Sequence, residues 1–175
     1  MISEEKSKYK SWSGLKKQMN DVLCEALKDR ITYHYTSYHR VHNSYGRATV
    51  NCDGRELVAF SWAEQYAQER DVDALYRAGK EISYQRLETE QWMPEGKLCE
   101  ADFIQSVAVY LKTDVATALR SDNYLLRLFA YLDRRVGKRT LEKLKEEASS
   151  LPVWVKQFYL LRCEAEGLEA ERKHI

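Results

Sequence analysis

The residues of this chain best suited to chemistry are basic, and they lie together. From Arg134 to Lys145 the sequence carries six Lys or Arg and one acid, about +5 in a chain whose formal net charge is +1. Arg134, Arg135, Lys138 and Arg139 lead this run, within LDRRVGKRTLEKL, where one helical pattern is expected to stop at Gly137 and another to start at once. At a helix start, unpaired backbone N–H groups and the helix dipole favour an anion, so this basic elbow is the candidate surface for an anion or an acidic partner. Its chemistry is recognition of negative charge and names no reaction. Part of the excess can be answered internally: Arg139 can pair with Glu142, Lys143 with Glu147, and Asp133 sits beside Arg134. The bland alternative is therefore a solvated or internally paired charge cluster. No Gly-rich phosphate loop accompanies it, which weakens a nucleotide-binding role.

Histidine and aromatic residues gather earlier. His34, His39 and His42 fall close together, but on a strand His34 and His39 point to opposite faces, so a three-His metal site is awkward and no metal is expected. His34 could serve as a general base or as a hydrogen-bonding member of a sheet-surface cleft, against the ordinary alternative of a partly buried histidine. Tyr33, Tyr35, Tyr38, Tyr45, Phe60 and Trp62, interleaved with Arg40 and Arg47, describe a face on which bases or a peptide could stack; a core and its rim would hold the same residues. The candidate sheet-face set is His34, Tyr38, His39, Arg47, Phe60 and Trp62.

Nucleophilic catalysis has little support. Cys52 adjoins Asp53 at a hairpin tip, Cys24 and Cys163 fall at apolar helical positions where thiols are inert, and no GxSxG or HExxH motif occurs. Cys24, Cys52, Cys99 and Cys163 are widely spaced with no CxxC pair, which fits four buried or half-buried thiols better than a disulfide framework or zinc knot.

The elements that must position these residues run from a small sheet into a helical majority. Ser11 or Ser13 can cap a helix whose apolar positions include Leu15, Met19, Val22, Leu23, Ala26 and Leu27. Ile31 to Val41 is rich in β-branched and aromatic residues and reads as a strand, and HNSYG turns the chain. Asp53-Gly54 between RATVNC and RELVAFSW is a type I′ hairpin signal. A two-residue loop pairs Cys52 with Arg55, Val50 with Leu57 and Ala48 with Ala59 on a core side. On a mixed side it pairs Asn51 with Glu56, Thr49 with Val58 and Arg47 with Phe60.

Weaker helical patterning at 63–78 and about 81–92 leads to a linker, Met93-Pro94-Glu95-Gly96. The stripe Phe103, Val107, Tyr110, Leu111, Val115, Ala118 and Leu119 predicts one long helix. Ser121 or Asp122 caps the next, with Leu125, Leu128, Phe129 and Leu132 inward. A short helix carries Leu141, Leu144 and Ala148, and the last carries Val155, Phe158, Leu161, Arg162 and Ala165 before ending near Gly167. Four consecutive helices with short loops should pack as antiparallel neighbours.

A chain of 175 residues can bury roughly 70% of its unfolded surface, enough for a core, and favours one compact unit. With 44% hydrophobic and 31% charged residues it is neither disordered nor membrane-spanning in composition. The first ten residues lack the apolar core of a signal peptide, so a cytoplasmic location is expected.

Four blocks resemble a known family: Trp12 to Gln18 (WSGLKKQ), His42 to Arg47 (HNSYGR), Leu132 to Arg139 (LDRRVGKR) and Leu161 to Gly167 (LRCEAEG). They are similar to a family of small uncharacterised bacterial proteins over nearly the whole chain, Trp12 to Leu168. The resemblance implies a bacterial or phage origin and a single domain, and brings no activity with it. Its blocks coincide with the turn and the elbow, which favours those as functional surfaces; Arg134 or Arg162 pinned by internal carboxylates would be the structural alternative.

The expectation is an α+β fold: an N-terminal helix and a small three-stranded antiparallel sheet packed with a C-terminal multi-helix bundle. One compact domain should span 11–168, with flexible termini at 1–10 and 169–175. The expected function is non-enzymatic docking of an acidic protein partner through the elbow or the aromatic sheet face, without cofactor or membrane. A nucleic-acid-binding accessory protein, with Arg40 to Arg55 and Arg134 to Lys145 converging, is the alternative. A small enzyme with a His/Arg cleft on the sheet comes third.

Overall fold

The computed structural model describes residues 11–36, 46–61, 64 and 93–169. Among them the chain runs through α1 (Trp12–Asp21), a 3-10 turn (Glu25–Leu27), β1 (Ile31–Thr36), β2 (Arg47–Cys52) and β3 (Arg55–Phe60). Then follow α2 (Glu100–Tyr110), α3 (Val115–Ala118), α4 (Tyr124–Leu132), α5 (Lys138–Lys143), α6 (Lys145–Ser149) and α7 (Val153–Ala165). The strands form one antiparallel sheet in the order β1-β2-β3, packed with the helices in the α+β arrangement the sequence predicts. Outside the described residues lie the strand extension to Val41 with Tyr38 and His39, the HNSYG turn up to Tyr45, and Trp62. The helical patterns over 63–92, Glu64 apart, and the outermost termini lie outside them too.

The Asp53-Gly54 turn forms as its residue types dictate, with φ of 53° and 75°. At the tip Cys52 faces Arg55 and Asn51 faces Glu56, but beyond it Val50 faces Val58, Thr49 faces Ala59 and Ala48 faces Phe60. Leu57 is the extra residue of a β-bulge. The expected Val50–Leu57, Ala48–Ala59, Thr49–Val58 and Arg47–Phe60 pairs therefore do not form, because one inserted residue exchanges the two faces of the strand beyond it. Phe60, expected beside Arg47 on the mixed face, is carried into the core.

There it stacks on Phe103 at 5.8 Å and meets Trp154 edge-on at 5.9 Å. Phe103 and Tyr33 both pack edge-on against Phe129, at 5.8 and 6.1 Å, and Trp12 of α1 covers Tyr35 and Phe103 at 5.5 and 5.8 Å. These rings join sheet to helices inside one hydrophobic cluster that reaches from Leu15 to Cys163. Burial of each fully enclosed ring contributes about 2–3 kcal/mol.

Capping residues decide where the helices break. The stripe from Phe103 to Leu119 is two helices, because α2 ends at Tyr110 and Asp114 caps α3, its carboxylate accepting from the Thr117 amide at 2.9 Å and hydroxyl at 2.6 Å. α4 is capped by Asn123, whose Oδ1 accepts from the Leu125 amide at 3.0 Å, and not by Ser121 or Asp122. α7 closes as expected: Gly167 has φ 70°, and the Leu168 and Gly167 amides donate to the Cys163 and Glu164 carbonyls at 2.8 and 3.1 Å.

Gly46 ties the sheet to α2, its amide donating to Glu100 Oε1 at 3.0 Å. A Cβ there would lie 2.5 Å from Glu100 Cγ and 2.7 Å from the Thr36 carbonyl oxygen. Gly46→Ala should therefore destabilise the fold by about 1–3 kcal/mol, the cost of overpacking against backbone, seen as a lower urea midpoint at unchanged slope.

Candidate functional site

The basic elbow is built around a buried carboxylate. Helix α4 stops at Leu132, five residues before the glycine expected to end it, because Asp133 leaves the helical region with φ −81° and ψ 132°. Asp133 is 0% exposed, and its carboxylate is enclosed by donors. Oδ1 accepts from the Arg135 amide at 2.8 Å and Nε at 3.0 Å; Oδ2 accepts from Arg135 Nη2 at 2.6 Å and the Tyr110 hydroxyl at 2.5 Å. Burial pushes this carboxyl up, but the Arg135 and Tyr110 hydrogen bonds outweigh it and hold it below the ordinary carboxylate range. Tyr110 is shifted far upward, by burial first and then by its bond to Asp133.

A second group holds the same turn from below. Arg162 of α7 is 2% exposed; its Nη1 donates to the Tyr131 and Asp133 carbonyls, both at 2.9 Å, and Nη2 to Val136 O at 2.7 Å. Nε pairs with Glu166 at 3.0 Å. Carbonyls at a helix end have no intrahelical partner, and here one guanidinium fork satisfies three at once. From the N-terminal side, Cys24 N donates to Leu132 O and Arg134 N to Val22 O, each at 2.8 Å, while Leu23 bridges Asp133. The elbow is thus a backbone turn clamped by two buried side chains and a strand-like bridge.

Gly137 starts α5 as its N-cap, with φ −85°, and does not terminate α4. No atom stands within 4 Å of where its Cβ would be. Gly137→Ser should be tolerated, changing stability by about 0.5 kcal/mol or less and in the stabilising direction, since a hydroxyl could cap α5; a helix-ending glycine would lose more than that in thermal melts.

The four candidate cations separate into two kinds. Arg135 is committed to Asp133, although its side chain is still 46% exposed. Arg134, Lys138 and Arg139 are exposed, and none is in an ion pair among the described residues. The internal pairs expected for this run do not form: Glu147 is taken by Arg127 at 2.7 Å, and Asp133 is taken by both the amide and the guanidinium of Arg135 while the Arg134 side chain stays exposed.

The sheet-face candidates do not assemble. His34 is exposed on β1, Phe60 is in the core, and Tyr38, His39 and Trp62 lie outside the described residues. Arg47 is held by two acids, Nη1 and Nη2 bonding Glu56 at 2.7 and 2.6 Å and Nε bonding Glu64 at 2.5 Å. Arg30 is paired with Asp53 at 2.9 Å. Tyr33, expected on the stacking face, points into the core against Phe129.

All four cysteines are free thiols, three of them buried. Burial raises the pKa of Cys24, Cys52 and Cys163, and burial with the Asp102 charge pushes Cys99 up to about 11. They are poor nucleophiles, and Cys99 serves as the N-cap of α2, its amide donating to Asp102 at 2.7 Å. A cavity of about 170 Å³ opens between Met93, Leu98, Ser106, Val109 and Asn123; no histidine or arginine lines it. Among the described residues no group of His, Cys, Asp or Glu is arranged to hold a metal ion, and no helix is long and apolar enough to cross a membrane.

Sequence reasoning saw the outward charges of the elbow but missed the roles of Asp133 and Tyr110. For Arg162 the internal carboxylate offered as the structural alternative is present, Glu166 at 3.0 Å, and its three carbonyls had a signal as well: a cation at an inward position of an otherwise apolar helical stripe needs buried acceptors. Comparison with curated proteins and with solved structures finds no match. A family model matches residues 11–163, from the serine that opens α1, through the hairpin and the elbow, to the residue after the arginine that clamps it. With that match covering most of its length, the chain belongs to the SF0329 protein family.

Proposed function

We propose that this chain is an interaction protein of the bacterial cytoplasm that docks an acidic surface of another protein through Arg134, Lys138 and Arg139. The observation that carries this proposal is concentration: Arg134, Lys138 and Arg139 are exposed, in no ion pair among the described residues, and gathered between positions 134 and 139, whereas Arg55 and Arg120, equally exposed and unpaired there, come singly. Arg30, Arg47, Arg127, Arg135 and Arg162 each have a carboxylate partner. Unanswered charges on a rigid turn are suited to steering and orienting an oppositely charged partner. Four free thiols suit a reducing compartment. The single core from Leu15 to Cys163 supports one folding unit over 11–168.

A nucleic-acid role draws less support. Following a phosphate backbone takes several free cations along a track, and in the second basic segment Arg47 is neutralised by Glu56 and Glu64. Catalysis draws less still, since exposed His34 does not line the cavity between Met93 and Asn123.

The test is recovery of partners from bacterial lysate with wild type and with R134E/K138E/R139E, each with and without nuclease. Circular dichroism should show both proteins folded, because the three side chains are exposed. A discrete protein bound by wild type in both arms and lost in the variant is the expected result. Recovery that vanishes on nuclease treatment would put nucleic acid in its place, and recovery indifferent to the substitutions would remove the elbow from the interface.

A further inference from the structure

We infer that Arg135, though it stands in the middle of the basic run, is not one of the cations that meet the partner but a positioning residue: with Asp133 and Tyr110 it locks the turn from which Arg134, Lys138 and Arg139 project. This rests on the docking role proposed above and divides its residues into two kinds.

The geometry separates them. Arg135 gives its amide, Nε and Nη2 to one carboxylate that is fully buried, so its guanidinium is the lid over that charge. A partner's carboxylate could take the Nε–Nη2 edge only by leaving Asp133 buried with the Tyr110 hydroxyl as its remaining side-chain donor, and the Nη1 edge left over belongs to a guanidinium whose charge Asp133 already offsets. The neighbours are under no such claim. Arg134 is fixed through its backbone, donating to Val22 O, while its side chain stays exposed; Lys138 and Arg139 sit in the first turn of α5, whose starting point Gly137 follows directly on Val136, itself held by Arg162. Three free cations on a turn held by these hydrogen bonds need little ordering when a partner binds, which is how preorganisation raises affinity. The partner that fits is a segment dense in Asp or Glu, whose carboxylates meet the three free cations without competing for the fourth.

The number of cations that a polyanion engages appears in the salt dependence of its affinity, whereas a positioning residue changes the affinity alone. The probe is a fluorescein-labelled poly-glutamate peptide, read by anisotropy against the full chain over a salt series. Wild type should bind and R134E/K138E/R139E should not; equal binding by the two would defeat the docking role itself. Arg139→Gln should weaken binding and flatten the salt slope. Arg135→Gln removes the same charge, yet should weaken binding about two- to tenfold, the ordering of one long side chain, at the wild-type slope. Tyr110→Phe, which keeps every charge, should behave like Arg135→Gln. If Arg135→Gln flattens the slope as Arg139→Gln does, Arg135 is a docking cation and the inference is wrong while the docking role stands. Should Arg135→Gln fail to fold, Tyr110→Phe decides: wild-type affinity in that variant overturns the inference.

Discussion

Replacing Arg162 with methionine is expected to lower the unfolding free energy by about 4 kcal/mol, the largest loss from any single side chain of the elbow. Methionine keeps the long apolar stem packed, so the loss reports the guanidinium itself. That group supplies the Tyr131, Asp133 and Val136 carbonyls at 2.7–2.9 Å in an environment where the side chain is 3% exposed. Each acceptor left buried without a donor costs about 1–3 kcal/mol, and Glu166 loses its partner as well. Arg162→Lys keeps the charge but not the fork, and one ammonium cannot reach three carbonyls spread over a turn, so most of the loss should persist. Urea unfolding followed by tryptophan fluorescence measures both variants. A loss of less than about 1 kcal/mol for Arg162→Met would mean that water or main-chain rearrangement satisfies those carbonyls, and the clamp would not exist.

Asp133→Asn should cost about 3 kcal/mol near neutral pH, and its pH dependence identifies the cause. The folded Asp133 carboxyl titrates below its ordinary 3.8, chiefly because the Arg135 and Tyr110 hydrogen bonds overcome the opposing effect of burial. A depressed carboxyl contributes stability that is fully present above its unfolded value and is lost as pH falls through the folded one. Wild type and Asp133→Asn should therefore differ by a constant amount above about pH 5 and converge as the pH drops below 3.8. A gap that stays constant into strong acid would show that the asparagine is simply a poor fit in shape and that charge plays no part.

The two clamps explain why the outward half of the elbow was legible in the sequence and the inward half was not. Charge density is a local property: Arg134, Lys138 and Arg139 read as exposed cations because nothing nearby in sequence could neutralise them all. Asp133 and Arg135, two residues apart, were visible as an acid and a base. The burial of Asp133, however, which makes Arg135 its lid, depends on Tyr110 and Val22, whose approach is set by tertiary packing. The same division holds in the sheet. Asp53-Gly54 dictated the turn because positive φ is a local demand, whereas the bulge at Leu57 follows from a contest between register and core packing that no local pattern displays. That single inserted residue decided that Phe60 fills the core beside Phe103 and is not part of a binding face.

Helix boundaries show the principle again. Apolar spacing marked which residues of α2 to α7 face inward, since periodicity survives a short interruption, but it ran across the break at Asp114 and placed the end of α4 at Gly137. Caps are made by single side chains competing for a few amides, and Asn123 and Asp114 win by hydrogen bonds of 3.0 and 2.9 Å that depend on the final geometry. By itself, then, the sequence determined the α+β class, the hairpin turn, the inward face of each helix and the concentration of positive charge after Leu132, all set by interactions within a few residues. Only the tertiary structure decided which cations are free. A charge is free or spent according to what lies across from it: Arg135 is spent on an acid two residues away that the fold buries against the Tyr110 hydroxyl, and Arg162 on three carbonyls that local spacing cannot place.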